Sequence, residues 1–182
     1  MHITSATADD VGRVADLITS AFADLPPSVW LVGDAGERPA LIRANFAMWT
    51  THALKHGHVD LIDTRAAAVW FHRERPVPLP DDYAPAARFR LMDDTFAAHH
   101  PDHDQHHHLA FIAVHPDHQG HGLGRALLDH HHAILDAKGL SAFLEASTPG
   151  NVRFYEASGY RVLGEPYHLP DGPPLWPMWR EG

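Results

Sequence analysis

The stretch LAFIAVHPDHQGHGLG, from Leu109 to Gly124, decides the fold of this chain. Its first six residues are all apolar, which is typical of a strand buried on both faces. Glycines follow at 120, 122 and 124, and a helical pattern begins directly after them. The helix is predicted from Gly122 to Lys138, and its apolar positions are Leu123, Leu127, Ile134 and Leu135.

A buried strand, a glycine-rich turn and a helix N-terminus together form an anion site. Free backbone N–H groups and the helix dipole point toward the ligand, and glycine lets a phosphate approach closely. The turn lacks the Lys-Ser/Thr pair of a nucleoside-triphosphate loop and the G-x-G-x-x-G spacing. Its pattern is Q-x-x-G-x-G, with Gln119, Gly122 and Gly124. The alternative is a turn that only tightens the junction of strand and helix.

Length and composition restrict the function classes. The 182 residues fit a single domain, 1–182, and 45% of them are hydrophobic. No apolar stretch approaches the roughly 20 residues that cross a bilayer, so we expect no membrane partner and a cytoplasmic location. The net charge of −9 argues against nucleic acid and favours a cationic partner. The absence of cysteine excludes thiol nucleophiles and disulfides.

Upstream of this stretch the pattern alternates between strands and helices. Residues 2–5 resemble a short strand, and Thr7 with Asp10 forms a capping-box start for a first amphipathic helix. Prolines and glycines indicate a loop from Pro26. The further predicted elements are a helix at 40–56, a hairpin of strands at 58–64 and 66–73, and a short helix at 88–100.

Downstream, the alternation continues and places the chain in the mixed α/β class. Strands are predicted at 141–147, 160–169 and 174–180, with a short helix at 151–158. Pro177 lies inside the last of these strands, which predicts an edge strand or a bulge because proline cannot donate to a sheet ladder.

A second segment, NVRFYEASGY at 151–160, follows its own strand. Together with the Q-x-x-G-x-G turn, it resembles the GCN5-related N-acetyltransferase (GNAT) superfamily. The segments 116–124, 142–160 and 169–180 are most similar to puromycin N-acetyltransferase-like enzymes, and 21–32 is moderately similar to them. Residues 57–108 match poorly, although they should include much of the acceptor pocket.

The resemblance implies the GNAT fold. This fold has a central mixed, mostly antiparallel, twisted sheet of six to seven strands, which is flanked by helices and splayed between its two central strands. It implies an acyltransferase that passes acetyl directly from acetyl-CoA to the primary amine of a small molecule, such as an aminonucleoside or another antibiotic. A role in antibiotic resistance and a monomer or homodimer would follow.

The resemblance also assigns residues to coenzyme A. The backbone of residues 112–114 should pair with the pantetheine arm, and the amides of 120–125 should hold the pyrophosphate, with the Arg125 side chain as an optional contact. Asn151 either contacts the cofactor or caps its helix. The full set is Ile112, Ala113, Val114, Gln119, Gly120, His121, Gly122, Leu123, Gly124, Arg125 and Asn151.

Two residues are the catalytic candidates. Tyr155 stands where the family has its general acid, and a phenol can protonate a leaving thiolate; alternatively, it only packs its helix. Glu145 stands where the puromycin-acetylating relatives have a base. A carboxylate inside an apolar strand costs free energy unless it is paired, so its presence suggests a function. An ion pair with Arg153, or exposure at a strand end, is the other explanation of Glu145. Alternative bases are His115, His121 and His168.

The chain has 18 histidines, and six of them lie in HHPDHDQHHH at 99–108. We expect this segment to be a solvated loop, and adventitious metal binding is an alternative. No metal site is predicted, because neither zinc-ligand spacing nor cysteine is present. His130, His131 and His132 lie on one helix and cannot all face the same way, so at least one should be exposed.

Two other kinds of function stay open. The acceptor could be a protein N-terminus or lysine, a polyamine or an amino acid. A non-catalytic acyl-CoA-binding or metal-sensing domain, with the histidine-rich segment as its input, is the alternative from another class.

Overall fold

The computed structural model of the chain describes residues 2–73, 77–81, 83–102 and 105–182. Within these ranges the helices are α1 (Val11–Phe22), α2 (Pro26–Leu31), α3 (Arg38–His56), α4 (Ala87–His99), α5 (Leu123–Asp136) and α6 (Pro149–Glu156). The strands are β1 (Thr4–Ser5), β2 (Gly57–Ile62), β3 (Ala66–His72), β4 (His106–Val114), β5 (Ser141–Ala146), β6 (Arg161–Val162), β7 (Tyr167–His168) and β8 (Pro174–Arg180).

The strands form one mixed sheet in the order β1-β2-β3-β4-β5-β8-β6, with β7 paired to β8. The pairing of β4 with β5 is parallel, and the other pairings are antiparallel. The mixed, mostly antiparallel sheet expected from the sequence is confirmed. The described residues contain eight strands instead of six or seven, because a turn at Gly164, with φ of 74°, splits residues 160–169 into β6 and β7.

The two central strands separate partway along their length. Residues 106–108 of β4 pair with residues 141–143 of β5, and the parallel ladder ends at His108 and Phe143. Beyond that pair β4 remains bonded to β3, with a bulge at the step between Val69 and Trp70. Within the described ranges, no strand pairs with the edge of β4 that faces β5 from residue 109 onward, and the predicted splay is confirmed.

Helices cover both faces of the sheet, as strand alternation requires. On one face α1 and α3 pack over β2, β3 and β4, around Ile18, Ile42 and Val69. On the other face α5 packs over the same strands, with Leu127 against Trp70 and Leu144 in a second core. Within the described residues, none of the helices has the length and apolarity that a bilayer crossing requires.

The first helices follow local rules, with one correction. Thr7 and Asp10 form the predicted capping box, in which the Thr7 N–H donates to Asp10 Oδ2 at 2.7 Å. The loop predicted from Pro26 is confirmed at residues 32–37 but wrong at its start, since Pro26–Leu31 is a short helix with proline in its first turn. The first turn of a helix has no intrahelical use for the N–H groups that proline lacks, so these prolines start the helix.

The last strand also differs from its prediction. β8 is internal, between β5 on one side and the short strands β6 and β7 on the other. Pro177 faces the gap between those short strands, where its carbonyl accepts from the Leu163 N–H at 2.7 Å. Because β6 ends at Val162, no ladder bond requires an N–H from residue 177. The edge position expected for this strand is therefore wrong.

The histidine-rich segment is not a solvated loop throughout. Its last three histidines form the start of β4, and His106 and His107 are buried. His99 ends α4, while His103 and Asp104 lie outside the described residues. The alternation of polar and apolar residues does not reveal that His106, His107 and His108 belong to β4, because these three polar residues lead directly into an apolar run. As expected for 130–132, His130 is exposed and its two neighbours are buried.

Candidate active site

A cavity of about 1060 Å³ passes through the splay between β4 and β5. At one end it reaches the glycine-rich turn and the start of α5, and at the other it extends between α1, α3 and α4. The sequence-predicted residues Glu145 and Tyr155 both line it. The splay of the sheet therefore joins the glycine-rich turn with the space between α1, α3 and α4, which are distant from it along the chain, in one continuous cavity.

The glycine-rich turn has the backbone of an anion site. Gly120 and Gly122 have φ of 77° and 76°, a region that favours glycine, and Gly122 is the N-cap of α5. Within the described part of the chain, the N–H groups of residues 120–122 donate to no backbone carbonyl. The first-turn amides of a helix also lack intrahelical partners. These donors fit a pyrophosphate.

Gly124 serves a different purpose from the glycines before it. A Cβ at this position would lie 3.3 Å from Phe154 Cζ and 3.6 Å from Val114 Cγ2. The missing side chain lets α6 and the end of β4 approach the start of α5, which keeps both walls of the cavity near the turn. Leu123, the next residue toward the turn, is buried and also lines the cavity.

The side chains of the turn bond mostly within the protein. Gln119 Nε2 donates to the Val114 carbonyl at 3.3 Å, and His121 Nδ1 lies 2.8 Å from the Gln119 carbonyl. Arg125 Nε donates to Asp129 at 2.8 Å. The His121 side chain does not line the cavity. Backbone groups, more than side chains, are thus the free donors of this turn.

The strand edge predicted for the pantetheine arm is present. Ile112, Ala113 and Val114 line the cavity, and on their far side they pair with residues 66–68 of β3. Among the described residues, the edge toward β5 has no strand partner beyond His108. It can therefore accept one more extended segment through main-chain hydrogen bonds, as an added strand would.

Asn151 does not cap its helix. Thr148 is the N-cap of α6, and its Oγ1 accepts from the Asn151 N–H at 3.1 Å. The Asn151 side chain donates from Nδ2 to Ser147 Oγ at 3.3 Å and lines the cavity. Two roles were considered for Asn151, capping and contact with the cofactor. Thr148 is the cap, so only contact with the cofactor stays a prediction for Asn151.

Glu145 forms a carboxylate–imidazole pair with a residue that sequence reasoning missed. His108 Nε2 lies 2.9 Å from Glu145 Oε2, and both side chains are largely buried. Tyr167 donates its hydroxyl to Glu145 Oε1 at 3.5 Å. Among the described residues, the ion-pair partner of Glu145 is His108 and not Arg153, which is exposed on α6. The predicted alternative of exposure at a strand end is also wrong.

His108 has a further property that matters for chemistry. Its second ring nitrogen, Nδ1, is buried and has no hydrogen-bond partner within the described residues. With the Nε2 proton held by Glu145, Nδ1 carries a lone pair that can accept a proton. His108 lines the cavity, while His115, His121 and His168, the three alternative bases, do not.

Tyr155 lies in α6 and lines the same cavity as the Glu145 pair. It is 7% exposed, and burial raises the pKa of its hydroxyl above the usual value. The phenol therefore keeps its proton at neutral pH. Tyr155 also packs edge-on against Tyr160, with ring centroids 5.8 Å apart, so it contributes to the core as well.

The far half of the cavity has an aromatic wall and few polar groups. Its aromatic members are Phe22, Phe46, Trp49, Phe71, Phe96 and Phe111. Asp93 of α4 lines it with a buried Oδ2 that has no hydrogen-bond partner in the described ranges. Burial, with a contribution from Asp94, raises the pKa of Asp93 to about 7.

Two more polar side chains line this half. Burial, reinforced by His108 and Arg73, lowers the pKa of His100 to about 2, so this imidazole is neutral. Burial also lowers the pKa of Arg73, and the Glu145 carboxylate opposes this shift by stabilising the guanidinium charge. The resemblance did not mark these residues, because they lie in the part of the chain where it is weakest, and His100 was predicted to belong to a solvated loop.

Comparison with known proteins agrees with this architecture. Residues 90–162 match the family model described as the acetyltransferase (GNAT) domain. The matched segment contains β4, the glycine-rich turn, α5, β5 and α6, which supply the end of the cavity near that turn and the Glu145 pair. This match supports an acyltransferase of the N-acetyltransferase type.

Solved structures share the fold over the whole chain. A histone acetyltransferase HPA2 and related acetyltransferase from Corynebacterium glutamicum is 24% identical, with a TM-score of 0.74 over 98% of this chain and 94% of that chain. Arylalkylamine N-acetyltransferase 2 from Aedes aegypti is 14% identical, with a TM-score of 0.69 over 99% and 98%. The ribosomal-protein-S18-alanine N-acetyltransferase from Escherichia coli is 20% identical, with a TM-score of 0.56 over 99% and 92%. The chain therefore has the GNAT fold.

Proposed function

We propose that this chain, acting as one domain, is an acetyl-CoA-dependent N-acetyltransferase for a small primary amine. The observation that carries the proposal is the single cavity that joins a free-amide turn, an open strand edge, the His108–Glu145 pair and Tyr155. When bound, acetyl-CoA would supply an acyl thioester and a thiolate leaving group. The amides of 120–125 would hold its pyrophosphate, and the edge of residues 112–114 would hold its pantetheine arm.

The residues divide the proton transfers between them. His108 accepts a proton from the acceptor ammonium or amine at Nδ1, and Glu145 orients the ring and stabilises the resulting imidazolium through Nε2. Tyr155 holds a proton on its phenol oxygen and gives it to the departing sulfur. The new bond joins the amine nitrogen to the acetyl carbon, and the broken bond is the thioester C–S bond. No covalent enzyme intermediate is needed, in agreement with the absence of cysteine.

The acceptor half of the cavity favours an amine with an apolar or aromatic body. Aromatic side chains provide most of its wall, and Asp93 can pair with the cationic nitrogen before it is deprotonated. Aminonucleosides such as puromycin, and other antibiotic-like amines, meet this description. A resistance role and a cytoplasmic monomer or homodimer are part of the same proposal.

Substitution of Gly122 by aspartate is expected to abolish stabilisation by acetyl-CoA. The new carboxylate would stand among the amides that face the pyrophosphate, and like charges repel. Thermal melting with and without acetyl-CoA measures the effect, since a ligand that binds only the folded state raises its stability by mass action. Gly164→Asp is the matched control: Gly164 has a similar φ of 74° and also open space around it. A normal acetyl-CoA shift in Gly122→Asp would disprove the assignment of the turn.

Asp93 is expected to make acceptor binding pH-dependent. Because the pKa of Asp93 is raised to about 7, its side chain is neutral below that pH and anionic above it. A quaternary ammonium analogue of an arylalkylamine should therefore inhibit about tenfold more strongly at pH ~8 than at pH ~6, as a charge-assisted contact allows.

Two variants test this dependence. Asp93→Asn should remove the rise in inhibition, and Asp94→Asn should move it to lower pH, because the Asp94 charge contributes to the raised pKa of Asp93. Equal inhibition of the wild type and Asp93→Asn at both pH values would exclude Asp93 from acceptor binding.

The activity itself is tested by incubating the purified chain with acetyl-CoA and a panel of amines. The panel contains puromycin, arylalkylamines, aminoglycosides, polyamines, amino acids and a peptide mixture, with free CoA release and product mass as readouts. Acetylated puromycin would support the aminonucleoside proposal, and another acetylated small amine would support the reaction with a different role. Acetylation of the peptides alone would overturn the small-molecule proposal. No product with any amine, despite thermal stabilisation by acetyl-CoA, would favour a non-catalytic acyl-CoA-binding domain.

A further inference from the structure

A second cluster of titratable side chains lies on the other face of the sheet from the acceptor cavity. His107 and His108 are neighbours in β4 and point to opposite faces, His108 into the cavity and His107 toward α5. On the α5 face, His58 and Asp60 of β2 meet His131 of α5, and one donor atom from each lies within 4.8 Å of the others. The proposed acetyl transfer uses none of the side chains of His58, Asp60, His107 and His131.

Asp60 is the unusual member of this cluster. It is 2% exposed, and its ion-pair partners among the described residues are all histidines. Asp60 Oδ2 lies 3.2 Å from His58 Nε2 and 3.9 Å from His131 Nδ1. A buried carboxylate costs free energy unless a positive charge compensates for it. A bound cation would supply such a charge.

Hydrogen bonds on the far side of each ring orient both histidines toward Asp60. His58 Nδ1 lies 3.0 Å from His72 Nε2, and His131 Nε2 lies 2.9 Å from His107 Nδ1. The remaining nitrogens, His58 Nε2 and His131 Nδ1, face the carboxylate. His131 is 0% exposed, and its Nδ1 has no hydrogen-bond partner within the described residues. Metal-binding histidines typically have this arrangement, in which the second ring nitrogen is bonded to an outer group.

We propose that His58 Nε2, Asp60 Oδ2 and His131 Nδ1 bind one divalent transition-metal ion, with zinc preferred and water as the fourth ligand. Ligand atoms of a tetrahedral zinc site are about 3.4 Å apart, given bonds of about 2.0–2.1 Å. The 3.2 Å and 3.9 Å separations from Asp60 Oδ2 bracket that distance, and the three ligand atoms all lie within 4.8 Å of one another. The exposed His130 lies 3.9 Å from Asp60 Oδ1 and marks the path to solvent.

The donor set decides which metals fit. Two imidazole nitrogens and one carboxylate oxygen suit zinc and its transition-metal neighbours, whereas magnesium and calcium prefer oxygen ligands throughout. No metal site was predicted from the sequence, because the proposed ligands are residues 58, 60 and 131, and the spacing between them matches no recognised metal-binding motif. Metal binding here would tie β2 to α5, the helix whose N-terminus forms the glycine-rich turn.

Zinc titration of the chain, prepared without a histidine tag and freed of metal by chelator, tests the site. We expect one tight zinc ion per chain by calorimetry and a rise in melting temperature. His58→Gln and Asp60→Asn should each weaken this step by about a hundredfold or more, since even outer-shell partners are worth about 10–100-fold in metal affinity. Asp60→Asn keeps the side-chain shape and removes the buried charge, so its metal-free form should melt no lower than the metal-free wild type.

His168→Gln is the matched control, because this histidine is exposed on β7. It should retain the tight step. Loss of the tight zinc-binding step in His168→Gln, with the step retained in Asp60→Asn, would overturn the proposal. The proposal would also fail if the wild type bound zinc no more tightly than Asp60→Asn. A lower metal-free melting temperature in Asp60→Asn, without any zinc effect on the wild type, would make the cluster a purely structural hydrogen-bond network.

Cobalt(II) gives an independent readout of the same site. Trp70 stacks on His131, with ring centroids 3.8 Å apart and planes at 17°. Bound cobalt should therefore quench Trp70 fluorescence and show the visible absorption of a tetrahedral ion. Trp70→Phe should lose that part of the quenching and keep the absorption, whereas Asp60→Asn should lose both. Retention of both signals in Asp60→Asn would place the cobalt elsewhere.

Discussion

His108→Gln is expected to lower kcat/KM by about 10²–10³-fold, within the range of general acid–base catalysis. Glutamine has a similar polar end but cannot take up a proton at neutral pH. Steady-state kinetics with the best amine found in the panel measures the effect.

Variants of the partner residue locate the proton acceptor within the pair. Glu145→Gln should cost less than His108→Gln, because a glutamine oxygen can still accept from Nε2 of the imidazole. The double variant should cost little more than His108→Gln alone, as for residues that act as a unit. The reverse order of the two single variants would make Glu145 itself the base.

A control separates catalysis from folding. His106 is buried in the same strand but does not line the cavity, so His106→Gln should retain most of the activity even if its melting temperature falls. If His106→Gln and His108→Gln lost the same activity, the loss would come from the strand and not from the proposed base.

Tyr155→Phe is expected to lower kcat by about 10²-fold, at the low end for acid catalysis, because a thiolate is already a fair leaving group. Burial raises the pKa of Tyr155, so in the wild type this acid stays protonated across the neutral range. The variant should therefore lose rate evenly across that range, with little change in KM. Single-turnover kinetics with the same amine would isolate the chemical step.

Tyr160→Phe is the matched control for this variant. Tyr160 is buried beside Tyr155, and its hydroxyl bonds to His132 Nε2 at 3.0 Å instead of lining the cavity. Loss of that hydroxyl should lower stability by about 1 kcal/mol, the size of one hydrogen bond, and leave kcat near the wild-type value. Full activity in Tyr155→Phe would leave Tyr155 with a packing role alone.

Much of the cofactor side of the site could be predicted from local sequence. The run of residues 109–114, the positive-φ glycines 120 and 122, and the start of α5 are consecutive, so their geometry follows from short-range rules. The same holds for the hairpin of β2 and β3 and for the capping box of Thr7 and Asp10. The loop assigned from Pro26 failed locally, because proline was interpreted as a breaker where it starts a helix.

The acceptor side could not be predicted in this way. Asp93 comes from α4 and His100 follows the end of that helix, whereas Trp49 comes from α3 and Glu145 from β5; none of these elements is near another along the chain. Their meeting depends on how α3 and α4 pack over the splayed sheet. A charged residue on a short helix is usually solvated, so only its observed burial makes Asp93 a candidate for binding.

Apart from α2 and the division of residues 160–169 into β6 and β7, the sequence by itself determined the order of strands and helices, and it also indicated the glycine-rich turn and the two catalytic candidates Glu145 and Tyr155. These depend on spacings of a few residues and on a resemblance carried by short segments. Only the tertiary structure decided that His108 pairs with Glu145 across the parallel strands, and that His58, Asp60 and His131 converge behind the sheet. The physical reason is that strand register and alternation set which side chains share a face. A run such as HHH has no period of its own to reveal that its members point in opposite directions.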